Sequence, residues 1–149
     1  MPSSHAPGWL LHTEITRRAV GAFFETYREL GFGFSEALCA EALAIVLSQR
    51  RISFVREPSV PVNFRGQQIG SLRPDFVVED TVLLELKAVR VIEPRHDAQV
   101  LNYLRATEME IGLLLNFGPE AKFKRFVFAN ARKRNSTSIR GMVRPSNAT

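Results

Sequence analysis

Leu11, Ile15, Ala19, Phe23, Tyr27 and Leu30 recur at spacings of four and three, with Arg17, Arg18, Glu25 and Arg28 between them. This period predicts an amphipathic helix ending near Gly31. Ser35 is placed to cap a second helix reaching about Arg51, on which Leu38, Ala42 and Ile45 with Cys39, Leu43 and Val46 make a broad apolar face. Beyond Arg51 the period shortens. Residues 54–60 read as a strand with Pro58 inside it, which places it at an edge or bulge. Residues 62–65 and 69–78 flank a turn at Gly66 and Gln67, the pattern of a hairpin. The Val- and Leu-rich stretch 82–91 has the composition of a buried central strand. Pro94 opens a helix to about Thr107, residues 110–117 form a second buried strand, and 122–128 alternate as a short last one. This order predicts an α/β (α+β) domain over residues 1–128, with a mixed central sheet flanked by helices.

A length of 149 residues suits one domain. With 45% hydrophobic and 23% charged residues the chain is not disordered throughout. No apolar run approaches the ~18–20 residues of a membrane span. Residues 1–12 lack a basic flank followed by a long apolar run, so no signal peptide is expected. The single cysteine, Cys39, can make neither an internal disulfide nor a cysteine-based zinc site. A soluble, reduced, cytoplasmic protein is the expectation. The net charge of +5 points toward a polyanion, but its distribution qualifies that. Five of the 20 basic residues (Arg132, Lys133, Arg134, Arg140, Arg144) and none of the 15 acids fall in 129–149, leaving 15 of each sign in the body. Residues 129–149 are therefore expected to form a basic, disordered tail. Either Arg132, Lys133 and Arg134 hold nucleic acid through its phosphates, or the tail only aids solubility.

Three charged residues sit where strands should be apolar: Asp75 in RPDFVV, and Glu85 and Lys87 in LLELKAV. Alternation puts Glu85 and Lys87 on one face and Leu84, Leu86 and Ala88 on the other. An ion pair at a sheet rim is one explanation. The other is a metal site, because two carboxylates on adjacent strands make a hard oxygen pocket suited to Mg²⁺ or Mn²⁺. A lysine two residues on can then orient or deprotonate a water.

Pro74-Asp75, nine residues, then Glu85-Leu86-Lys87 resembles the PD-(D/E)XK nuclease signature. Gly33-Phe34-Ser35-Glu36, His96-Asp97-Ala98-Gln99, Tyr103 and Gly112-Leu113-Leu114-Leu115-Asn116-Phe117 extend the likeness. Together they resemble the GxxExxY branch of that superfamily over roughly residues 10–128. The resemblance implies a restriction-endonuclease-like core and hydrolysis of phosphodiester bonds in DNA or RNA. It further implies a divalent metal held by Asp75, Glu85 and the carbonyl of Leu86. Lys87 would position the attacking water, and Glu36 would support the metal from the second helix. Gln99 and Tyr103, four apart on one helix, resemble a Q-x-x-x-Y element beside the active site, with His96 on the same side. His96 has an equal alternative as a helix-start residue bonded to backbone. The branch's tyrosine is replaced here by Cys39, which reads as a small buried hydrophobe. Nuclease activity competes with a non-catalytic nucleic-acid- or protein-binding module on the same fold, or a structural subunit of a larger complex.

One geometric expectation follows from parity. A two-residue turn between the strands of Asp75 and Glu85 would put the two carboxylates on opposite faces of the sheet. A three-residue turn at Glu79-Asp80-Thr81, or a bulge with the same effect on register, brings them together, with Asp80 at positive φ.

Overall fold

The computed structural model describes residues 12–133. Helix α1 (Thr13–Leu30) stops at Gly31, whose φ of 83° suits a residue without Cβ. Ser35 caps α2 (Glu36–Gln49), its hydroxyl oxygen accepting from the Leu38 N–H. The broad apolar face expected on α2 is not all buried. Cys39, Ala40, Leu43, Val46 and Leu47 pack inward, whereas Leu38 and Ile45 are 53% and 59% exposed. A helix packed along one side can cover only one stripe, and these two residues lie outside it.

The single strand expected at residues 54–60 is two strands. β1 (Phe54–Arg56) ends before Pro58, and Glu57 turns the chain through φ 49°. Its continuation, β2 (Val60–Phe64), leaves the main sheet and pairs with β3 (Gln67–Leu72) in a separate two-stranded sheet. The hairpin turn is one residue earlier than expected. Arg65 and Gly66 are the two loop residues, both at positive φ, and Phe64 faces Gln67. The run 69–78 also breaks, at Arg73-Pro74-Asp75, before β4 (Phe76–Val78). β5 (Val82–Lys87) is shorter than the Val/Leu-rich stretch implied. α3 (Pro94–Ala106), β6 (Ile111–Phe117) and β7 (Ala121–Val127) lie where the pattern put them.

The five-stranded sheet has the order β1-β4-β5-β6-β7. Its one parallel pair is β5 and β6, joined by α3 as the crossover. One face carries Phe76, Val78, Leu84, Leu86, Leu113, Leu115 and Phe117, packed against Ala19, Ala22, Phe23, Leu43 and Leu47 of α1 and α2. The other face carries Val77, Leu83 and Leu114 against Val100, Tyr103 and Leu104 of α3, with Val60 of the small hairpin. Gly112 allows α3 its close approach, since a Cβ there would sit 2.7 Å from Cγ1 of Val100. No described helix is long and apolar enough to cross a membrane.

The chain beyond Phe128 does not leave the domain at once. A 3₁₀ turn (Asn130–Arg132) follows, and the Asn130 N–H donates to Glu110 at 2.8 Å. Lys133 gives its ammonium protons to the carbonyls of Thr107 and Met109 at 2.8 and 2.6 Å. Arg134, Arg140 and Arg144 lie outside the described residues.

Candidate active site

The β4–β5 hairpin sets the geometry. Val78 faces Val82, so the loop is Glu79-Asp80-Thr81, three residues as expected. Asp80 has φ 58°, and Glu79 has φ 51°, a second positive value the sequence did not suggest. Glu79 is held there by Ser53, whose N–H and hydroxyl donate to its carboxylate at 3.1 Å each. With that register, Asp75 lies one residue before β4 begins and reaches Glu85. Its N–H donates to Oε1 of Glu85 at 3.3 Å, while its own Oδ2 accepts from the Leu86 N–H at 2.7 Å. Leu84 and Leu86 are packed under α1 and α2, so Glu85 and Lys87 point to the α3 face.

Lys87 Nζ stands 3.8 Å from Oε2 of Glu85, both side chains largely shielded from water. The rim ion pair therefore exists, but one ammonium serves the buried Glu85 and the half-buried Asp75 together. Loss of water pushes Glu85 up to about 8, with Asp75 adding to the rise and Lys87 opposing it. Asp75 is also raised, first by burial and then by Glu36, against the Leu86 N–H and Lys87. Glu36 opens a cleft of about 410 Å³ with Glu41, Arg56, Glu57 and Asp75. Among the described residues the one cation lining it is Arg56, held by Glu41 at 2.7 Å.

Tyr103 is buried, and its hydroxyl donates to the carbonyl of Arg73 at 3.3 Å while accepting from Gln99 at 3.0 Å. This network ties α3 to the backbone two residues before Asp75. Burial, followed by the nearby Glu85, pushes the Tyr103 phenol up to about 12, so it stays a donor at physiological pH. His96 follows its helix-start alternative: Nδ1 accepts from the Glu93 N–H at 2.9 Å in a capping box. Cys39 is buried, and burial pushes its thiol up. Arg132 lies over the Phe128 ring at 5.5 Å. The Lys133 ammonium serves the two carbonyls noted above, and burial draws it down to about 8. This is a structural staple, not the free tail cation expected.

Two residues without an expected role stand beside the site. Glu57 joins the acidic cleft because a positive-φ turn swings it there, with its N–H donating to the Asp75 carbonyl at 3.0 Å. Asn116 faces Lys87 across the β5–β6 ladder and clasps Val89 through two hydrogen bonds of 3.0 and 2.9 Å. A polar residue inside the apolar run Ile111–Phe117 was the available signal for Asn116.

Among the described residues no group of three or more His, Cys, Asp or Glu gathers as a metal cage. The donor set nonetheless fits a hard divalent ion, which takes one or two carboxylates and keeps other positions for water and phosphate oxygens. Two adjacent carboxylates with raised proton affinity, short of positive charge, are what such an ion would relieve.

A five-stranded mixed sheet, its central hairpin closing on two carboxylates and a lysine between α2 and α3, defines a restriction-endonuclease-like fold. The chain belongs to the PD-(D/E)XK nuclease superfamily, whose family model matches residues 13–126. Nucleases of that superfamily generally use divalent metals. No curated protein and no solved structure gives a significant match.

Proposed function

We propose that this protein is a nuclease that hydrolyses phosphodiester bonds in DNA or RNA, with Mg²⁺ or Mn²⁺ as its cofactor. The observation that supports this most is the pairing of Asp75 with Glu85 beside Lys87, within the stretch that the superfamily's family model matches. Asp75 Oδ1, Glu85 and the carbonyl of Leu86 would hold the cation, and Glu36 would support it from α2 across the acidic cleft. When bound, the cation supplies charge to stabilise the phosphorane-like transition state. Lys87, already beside Glu85, orients the attacking water and offsets negative charge on the reacting phosphate. Tyr103 and Gln99 position Asp75 by fixing the Arg73 carbonyl.

Within the superfamily we place the chain with the GxxExxY proteins, on Gly33, Glu36 and the motifs that follow. We also assign it a cytoplasmic setting, which rests on its single, buried cysteine. The test is cleavage of mixed single- and double-stranded DNA and RNA with Mg²⁺ or Mn²⁺, beside Glu85→Ala and Lys87→Ala. Chelator should abolish cleavage, and each variant should lose at least ~100-fold. Retained cleavage in Glu85→Ala would assign the activity to a contaminant. Tight nucleic-acid binding without cleavage in any metal would favour a binding module.

A further inference from the structure

The sheet face that carries Glu85 and Lys87 continues across β6 and β7. Asn116 faces Lys87 in the ladder, and Lys122 faces Asn116. At ~4.8 Å per strand, this row runs ~10 Å from Lys87 to the sheet edge. There the surface opens into a cavity of about 490 Å³. None of its described lining residues is acidic, while Arg90, Lys122 and Lys124 contribute three cations. Arg90 has no carboxylate within ion-pair distance among the described residues, and its guanidinium lies 5.7 Å over the Phe32 ring. Lys122 pairs with Glu120, both well exposed, an association worth little in water. Lys124 is more firmly held, 3.0 Å from Asp97.

The rest of the lining is largely apolar: Val91, Ile92 and Leu114, with Ala121, Phe24 and Phe123 where the cavity reaches round the β7 edge, because Phe123 faces Leu115 in the ladder and so lies on the α1 side. Phe123 is 41% exposed and meets Phe24 edge-to-face at 6.0 Å. Exposed aromatic surface beside Arg90 and the weakly paired Lys122 matches a ligand with a flat ring and a phosphate. The other side of the site is its electrostatic opposite, a cleft lined by Glu36, Glu41, Glu57 and Asp75 that repels phosphate. A strand with one phosphate at Glu85 and Lys87 is therefore guided toward β7. Asn116 serves both regions, since its clasp on Val89 fixes the loop that presents Arg90.

We propose that this cavity receives one nucleotide of an unpaired strand, next to the phosphate at Lys87. The base lies against Phe123 and Phe24, and the phosphate rests on Arg90 and Lys122. A base paired in a duplex has no free face to offer, so the subsite selects single-stranded or frayed substrate. The assignment rests on the nuclease reading for the identity of the strand, but not for the cavity's preference for a nucleotide.

The decisive experiment is an NMR titration of the metal-free protein with thymidine 5′-monophosphate, thymidine and inorganic phosphate. Thymidine monophosphate should shift the amides of Ile92, Asn116 and Phe123, at least fivefold more tightly than either fragment. Phe123→Ala should reduce its affinity to that of phosphate, and Arg90→Ala to that of thymidine. Both side chains are exposed, so the variants should keep the wild-type spectrum away from the cavity. In cleavage assays each variant should raise KM for an unpaired oligonucleotide at least fivefold, acting chiefly on KM. Equal binding of phosphate and nucleotide, or shifts confined to other surfaces, would overturn the subsite even if cleavage is robust. Nucleotide binding at these amides in a protein that cleaves nothing would uphold the subsite and remove the nuclease reading instead.

Discussion

At Glu85 a carboxylate is held largely out of water, and its protonation therefore reports on the site. Its affinity for a proton is higher in the folded chain, about 8 against an ordinary 4.5. Between those values the folded state binds more protons than the unfolded one, so this residue's contribution to stability falls as pH rises. Above about 8 the full cost of a buried charge remains. Glu85→Gln should therefore raise the melting temperature of the metal-free protein at pH 8.5 and leave it nearly unchanged at pH 4, while abolishing cleavage. By the same linkage, stabilisation of the wild type by Mn²⁺ should grow from pH 6 to pH 8.5, read by thermal melts with and without metal. A flat metal effect across that range would mean the cation binds elsewhere. Tyr103→Phe removes one hydroxyl that serves two partners. It should cost ~1 kcal/mol of stability and lower the cleavage rate through Asp75, measurable by urea melts and by kcat.

Among the elements, the β4–β5 hairpin and the α3–β6 contact decide whether a site exists. The odd number of loop residues at Glu79-Asp80-Thr81 puts Asp75 and Glu85 on one face. That parity was legible because side chains alternate strictly along a strand. The second positive φ, at Glu79, was not, because its anchor Ser53 is distant in sequence. The split of residues 54–72 into β1 and a separate β2–β3 pair was likewise hidden, since Pro58 marks an interruption without saying which sheet the next strand joins. Gly112 offers the test at this scale. Gly112→Ala places a Cβ against Val100 and should push α3 off the sheet, at a cost of ~1–3 kcal/mol. The urea midpoint should fall with the slope unchanged. Because α3 carries Gln99 and Tyr103, activity should fall as well. An unchanged midpoint would show that Val100 can rotate away without cost.

For the whole molecule, the boundary between domain and tail matters most. Lys133, Asn130 and Arg132 bind the segment after Phe128 back to the domain, through the carbonyls of Thr107 and Met109, through Glu110, and over the Phe128 ring. Truncation after Phe128 should thus destabilise the fold by ~1–3 kcal/mol, whereas truncation after Lys133 should leave the melting temperature unchanged. The shorter removal still deletes Arg134, Arg140 and Arg144. If those arginines meet phosphates, the salt dependence of nucleic-acid binding should flatten by ~0.7–0.9 for every phosphate that no longer meets an arginine. An unchanged salt slope would make the tail a solubilising end.

The sequence by itself determined the helices, the buried strands β5 and β6, the placing of Asp75, Glu85 and Lys87 as charges in apolar strands, and the parity that lets the two carboxylates meet. Those properties are local: hydrophobic period, capping residues and side-chain alternation act over a few residues. The tertiary structure alone decided which stripe of α2 is buried, that Glu57 enters the acidic cleft, that His96 caps α3 through Nδ1, and that Lys133 is a staple. It also placed Arg90, Phe123 and Phe24 around one cavity. Each of these depends on contacts between segments far apart in the chain, where burial and charge are set by neighbours that no local pattern specifies.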